Sequence, residues 1–284
     1  MAVNQARRDL REKLIFERQL LKKLNTFSRA MGRKLVREFS ISKTVIQAES
    51  FRAELEKILL KHYKKVSKEF SNRLTEDMPK DIAVTTDERK IIDDALNLYY
   101  IAHSGDQATQ ITKTTQDNID SAFAEANEED RIADLEKAFT PVQIAVIAAT
   151  NLVRKLYGRN STIAAYETQV IAETAKGVEG QVLSGNDPSV LVGSNKPSQV
   201  KKEWVSMGDQ LVREDHIFAD GQVVDDSEPY TVGGESLMWP GDSSLGASAG
   251  NVINCRCASV IDKETVYAAR RDSVELLQFI GSQL

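Results

Sequence analysis

Glycine and proline, the residues that interrupt helices most readily, are nearly absent from the first 176 positions of this 284-residue chain. That stretch holds only Gly32, Gly105, Gly158, Pro79 and Pro141, whereas 11 of the 15 glycines fall between Gly177 and Gly250 and 4 of the 6 prolines between Pro188 and Pro240. A segment so poor in breakers, with apolar residues three and four apart, reads as helix. The two cysteines, both tryptophans and one of the three histidines lie in the later stretch, between Lys202 and Cys257. The expectation is a mainly α-helical N-terminal region, 1–176, followed by a small α+β module and a C-terminal helix within 177–284.

The helices can be drafted from their apolar stripes. The first is predicted over about Asn4 to Phe39, with Leu10, Leu14, Leu21, Leu24, Met31 and Leu35 inward. The second covers about Ala48 to Leu74 through Phe51, Leu55, Leu59, Tyr63, Val66 and Phe70. Thr85 and Glu88 form a capping box, and Thr140-Pro141-Val142-Gln143 combines a cap, a first-turn proline and a box partner. Ser104-Gly105-Asp106 reads as a break, and Asn160-Ser161 as the cap of a separate helix. Beyond Gly185, strands are expected at Gln199–Trp204, Asp220–Val224 and Val252–Ile261, and a closing helix from Asp262.

Charge divides the chain unevenly. The net charge is −5, yet residues 1–75 hold 19 Lys and Arg against 8 Asp and Glu, a balance of +11, which leaves −16 for the rest. Such asymmetry points to a basic arm for an acidic partner, nucleic acid or an acidic protein surface. Arg7, Arg8, Lys22, Lys23, Lys64 and Lys65 are the residues expected to carry it. The charged start, Met1 to Arg11, predicts no secretory signal, and the apolar run Val142–Ala149 is far short of the roughly 20 residues a membrane helix needs. No membrane partner is therefore expected. Two cysteines at i, i+2 suggest no disulfide framework and a reducing compartment during assembly.

Two chemical constellations stand out. His216, Cys255 and Cys257 are zinc-ligand types, although both thiols also fit as small buried apolar side chains. Asp242 and Asp215 are candidates for a fourth ligand. Alternatively His216 is a general acid/base, with Arg213 one turn before it and Asn254 or Arg256 stabilising an anion, in a metal-independent nuclease. No Gly-Lys-Ser/Thr phosphate loop is present. Trp204 and Trp239 read as core anchors, and Gly233-Gly234 and Gly241 as turns.

In order, Lys202-Glu203-Trp204, Arg213-Glu214-Asp215-His216, Asp220-Gly221, Pro240-Gly241-Asp242 and Asn254-Cys255-Arg256-Cys257 resemble the phage Mu F-like family of minor head proteins. The resemblance covers about Ser161 to Ile261. Upstream, where the family carries an Ala-Arg-Thr-Glu-like run, this chain has Ala164-Ala165-Tyr166-Glu167. The resemblance implies a non-enzymatic virion component inside the head, associated with the portal and capsid interior and involved in head morphogenesis, DNA packaging or ejection. It implies assembly in the bacterial host cytoplasm and contact with double-stranded DNA, which a basic arm would grip without reading bases. The same resemblance gives the alternative of a nuclease or toxin-like module using His216. No cofactor is required on the structural reading; zinc is the one the ligand types allow.

Overall fold

A computed structural model describes residues 2–133, 139–186 and 199–272. Four long helices come first: α1 (Ala2–Ser42), α2 (Arg52–Phe70), α3 (Thr86–Ala133) and α4 (Pro141–Leu183). A smaller α+β part follows, with β1 (Lys201–Val205), α5 (Glu214–Phe218), β2 (Val223–Asp225), β3 (Tyr230–Val232), β4 (Glu235–Leu237), α6 (Ala249–Val252) and β5 (Ala258–Ile261). Residues 263–272 are helical. The fold is therefore mainly helical α+β with small sheets and a C-terminal helix. Among the described residues no helix is long and apolar enough to cross a membrane.

The capping boxes start the helices they were expected to start. The Thr85 hydroxyl accepts from the Glu88 amide at 3.2 Å and the Glu88 carboxylate accepts from the Thr85 amide at 2.8 Å. Thr140 and Gln143 do the same for α4 at 3.3 and 2.7 Å. The predicted breaks do not occur. Helix α3 runs unbroken through Gly105, and α4 continues through Asn160, whose side-chain amide donates to Asn25 and Ser28 at 2.9 and 3.0 Å. Asn160 is thus satisfied by another helix rather than by capping its own.

The chain forms two compact units. One is built from Glu17–His62 and Tyr100–Ala164. Its core takes Leu20, Leu24, Phe27, Met31 and Leu35 from α1, with Phe51 just before α2 and Leu55 and Leu59 within it. Phe27 meets Phe51 edge-on at 6.0 Å and Phe39 meets Phe123 at 4.9 Å.

The other unit comprises Met1–Phe16, Tyr63–Tyr99 and the described residues from Ala165 onward. Its three-stranded antiparallel sheet has the order β2-β1-β5, with Trp204 opposite Ser259 and Lys202 opposite both Val224 and Ile261. The β3–β4 hairpin turns on Gly233-Gly234, both at positive φ (57° and 80°), the requirement of a two-residue primed turn. This hairpin was not expected from sequence, and strand β5 is shorter than drafted because α6 ends at Val252 and a turn through Asn254, at φ 56°, occupies the residues before Ala258.

The first turns of α1 hold a departure with consequences. Leu14 is exposed, while Asp9 and Lys13 are fully buried. The inward positions are Ala6, Asp9 and Lys13, then Leu20 and Leu24 further along. Buried ions interrupt an otherwise apolar stripe, so a periodicity search that admits only apolar residues selects the neighbouring face.

Candidate metal centre and the shell that holds it

The first and last motif segments enter one core directly, through Trp204, Cys255 and Cys257, beside Ala219, Tyr230, Val232, Leu237 and Val252. Strand β1 alternates, so Lys202 and Trp204 share its inner face. The Trp204 ring stacks edge-on against His216 at 5.5 Å and Tyr230 at 5.3 Å. Lys202 donates to the Met238 carbonyl at 2.8 Å and lies 5.1 Å over the Tyr230 ring. Burial brings its ammonium down to about 8, against the opposing pull of Asp226 and Asp242.

The turns complete the frame. Asp220 accepts from the Ser206 amide at 2.6 Å, and Gly221, at φ 77°, donates to the Trp204 carbonyl at 2.8 Å. The Asp242 carboxylate accepts from the Met238 amide and from the amide and hydroxyl of Ser244 at 2.9–3.0 Å. It is thereby committed to its own turn and is not a ligand of the cysteine site. Asp215 lies against Gly233, where an added Cβ would come within 2.8 Å of its carboxylate, so it too faces elsewhere.

At the centre, His216 Nδ1 lies 3.5 Å from Cys255 Sγ and 3.4 Å from Cys257 Sγ. The three ligand atoms lie within 4.8 Å of one another, and all three residues are buried. His216 and Cys257 are each 1% exposed and Cys255 9%, so the centre lies in the interior. Burial works against a thiolate at Cys255, but hydrogen bonds from Cys257 and His216 and the nearby imidazole charge bring it down to about 5. Cys257 is pushed up, first by its bond to Cys255 and then by burial. Two sulfurs and one imidazole nitrogen therefore share a site that could hold a divalent metal ion, which would bind the sulfurs as thiolates.

The residues proposed to assist His216 in catalysis surround it but are committed to the frame. Arg213 donates to the Ile253 carbonyl, and Arg256 pairs with Asp209 at 2.8–3.0 Å. Asn254 occupies the left-handed region at φ 56°, where asparagine is tolerated, and turns the chain into the Cys-x-Cys segment.

Sequence reading missed the support from α4. Gln169 donates from one amide nitrogen to the carbonyls of Pro240 and Cys257, both at 3.0 Å. Glu173 accepts from the Ser259 amide at 3.1 Å, and Lys176 donates to the Ser259 carbonyl at 2.8 Å. Positions 169, 173 and 176 share one face of the helix. They satisfy the free edge of β5 as a fourth strand would, closing it to other chains. Lys13 of α1 donates to Gln169 and Glu173, Asp9 pairs with Lys176 at 2.9 Å, and buried Arg73 lies 3.5 Å from Asp9. The upstream run contributes through Glu167, which accepts from the Tyr63 hydroxyl. The only signal available was the polarity of a helix face that begins two residues beyond that run.

Of the six basic residues singled out, Arg7, Lys22, Lys64 and Lys65 are exposed and Lys23 is half-buried. Arg8 is engaged in a two-pronged bond to Glu76 at 2.7 and 2.9 Å, with Glu12 at 3.4 Å. Lys13 and Arg73 are also consumed internally. The excess positive charge of the first 75 residues is therefore smaller at the surface than in the sequence.

Comparison with protein-family models, curated proteins and solved structures finds no match to this chain.

Proposed function

We propose that this chain is a structural, non-enzymatic minor head protein of a tailed bacteriophage, of the Mu F type. It would act in the head interior beside the portal, in head morphogenesis, DNA packaging or DNA ejection, after assembly in the host cytoplasm. The observation that carries the reading is the use made of the five motif segments. Their polar groups hold backbone carbonyls and amides, and their histidine and cysteines are sealed in a core, with His216 1% exposed. A general acid/base needs reach to a substrate proton. A sealed imidazole flanked by two sulfurs suits a rigid knob better than a nuclease centre.

We assign zinc to the His216, Cys255 and Cys257 set. With Zn–S near 2.3 Å and Zn–N near 2.0 Å, a tetrahedral centre holds sulfur and nitrogen about 3.6 Å apart. The separations here are 3.5 and 3.4 Å. The bound ion would neutralise both thiolates and cross-link α5 to the segment entering β5. Among the described residues no fourth His, Cys, Asp or Glu joins the set.

The test is elemental analysis of the protein purified without chelator, beside Cys255→Ser and His216→Ala. About one zinc per chain in the wild type, and loss in both variants, is expected. Absence of metal, with two thiols titrating in the folded protein, would rule zinc out. The head-protein reading is tested separately, by whether the chain is retained in particles purified from its phage.

A further inference from the structure

The unit built from Glu17–His62 and Tyr100–Ala164 carries a charged face that none of the motifs involves. Over residues 17–42, α1 holds seven Lys and Arg against two acids, Glu17 and Glu38. Four of the cations, Arg18, Lys22, Arg29 and Arg33, are spaced 4, 7 and 4 apart and are all exposed. At about 100° per residue they fall within an arc of about 60°, and at 1.5 Å per residue they form a row about 22 Å long. On the same count the two acids lie about 100° or more from every member of the row.

Among the described residues the row has no internal neutralising partner. Among the described residues none of the four is ion-paired, and Arg29 alone has a side-chain bond, to Thr26 at 3.3 Å. This contrasts with Arg8, Lys13 and Arg73, whose charges are met by carboxylates. The opposite face of the same stretch is the apolar core face, with Leu20, Leu24, Phe27, Met31 and Leu35 buried. The core thus fixes the rotation of the helix and, with it, the direction in which the four cations point.

We propose that Arg18, Lys22, Arg29 and Arg33 form a docking ladder for the phosphate backbone of duplex DNA. The proposal rests on the head-protein reading for the presence of packaged duplex. It replaces the dispersed set expected from sequence with one ordered surface. The cations come as two pairs whose midpoints lie about 16 Å apart along the axis, a span comparable with a major groove about 12 Å wide plus its flanking phosphates. Three of the four are arginine, whose planar fork binds phosphate oxygens bidentately. Phe27, the one aromatic residue between them in sequence, is buried in the core, so the surface suits a backbone rather than stacked single-strand bases.

The magnitude follows from counterion release. Four phosphate contacts give a slope of about −3.6 in log affinity against log salt, so affinity falls on the order of 10² between 50 and 200 mM salt. The experiment uses the full chain and a 30-base-pair duplex, read by fluorescence anisotropy at several salt concentrations. The fourfold variant Arg18→Gln, Lys22→Gln, Arg29→Gln, Arg33→Gln is compared with Lys64→Gln/Lys65→Gln. Glutamine preserves helix propensity, and circular dichroism checks that both variants fold.

The ladder predicts that the fourfold variant loses most affinity at low salt and that its slope flattens by about 3 or more. It predicts little change for the double variant. Equal loss in both, or loss in the double variant alone, overturns the ladder while leaving DNA as a partner. A wild-type chain that binds no duplex overturns the DNA assignment itself. A competition in which polyglutamate displaces the duplex at equal charge concentration makes the occupant an acidic protein surface and also overturns the proposal.

Discussion

Glu173→Ala is the perturbation that most sharply tests the polar shell around the candidate site. Glu173 is 2% exposed; its carboxylate takes the Lys13 ammonium, lies 3.1 Å from Lys176 and accepts from the Ser259 amide at 3.1 Å. Removing it leaves Lys176 with Asp9, but leaves Lys13 with only the Gln169 amide oxygen. Breaking a buried pair by deleting one partner costs about 3–5 kcal/mol. A buried amide left without an acceptor adds about 1–3 kcal/mol. The terms share atoms and do not add fully, so a loss of about 4 kcal/mol or more is expected. Against a total stability of about 5–15 kcal/mol, this is a large fraction.

The assay is urea unfolding followed by tryptophan fluorescence. Both tryptophans, Trp204 and Trp239, belong to the unit that contains Glu173, so the signal reports that unit. With m-values of about 1–3 kcal/mol per M, the midpoint should fall by about 1–4 M. The paired replacement Lys13→Met/Glu173→Met removes both charges and should recover part of the loss, because no unpaired ammonium remains. A single-variant midpoint within about 0.3 M of the wild type, well below that range, would refute the reasoning. So would a paired variant worse than either single change.

Other consequences can be checked on the same protein. Burial raises the Glu179 carboxyl to about 8, against the bonds it accepts from the Leu74 amide and the Thr75 hydroxyl. Its folded pKa exceeds its unfolded value, so the folded state holds the extra proton and stability falls as pH rises from about 4.5 to 8. Glu179→Gln should flatten that decline, by at most about 1.4 kcal/mol per pH unit; an unchanged slope in urea midpoints across this range would contradict it. Gly241→Ala places a side chain at φ 89° with its Cβ 3.0 Å from Gln169. The left-handed geometry alone costs about 1–2 kcal/mol, so the midpoint should fall measurably, and an unchanged midpoint would show that the turn relaxes freely. If the proposed zinc is bound, a strong chelator lowers the thermal midpoint of the wild type and leaves Cys255→Ser unaffected; an unchanged wild-type midpoint would contradict a stabilising zinc.

What could be read from the sequence was whatever repeats at a helical period or caps a helix end. The boxes at Thr85–Glu88 and Thr140–Gln143 mark real starts because their geometry is local. Gly105 and Asn160 misled because a helix packed along its length tolerates a glycine and finds distant partners for an amide. The convergence of His216, Cys255 and Cys257 was foreshadowed by residue type, yet the sealing of the site depends on Trp204 and on strand pairing across more than fifty residues. Gln169, Glu173 and Lys176 were invisible for a different reason. Polar residues on a helix are ordinarily solvated, and only the strand edge opposite them turns them into a frame. Asp9 and Lys13 were concealed in the same way.

On the proposed function this protein holds rather than turns over. The most direct measurement incubates the wild type and His216→Ala with labelled duplex DNA and with RNA, and resolves binding and cleavage in the same reactions. The expected result is a shifted, intact duplex with both proteins and no products from either nucleic acid. Products formed by the wild type and missing with His216→Ala would contradict the account at its centre.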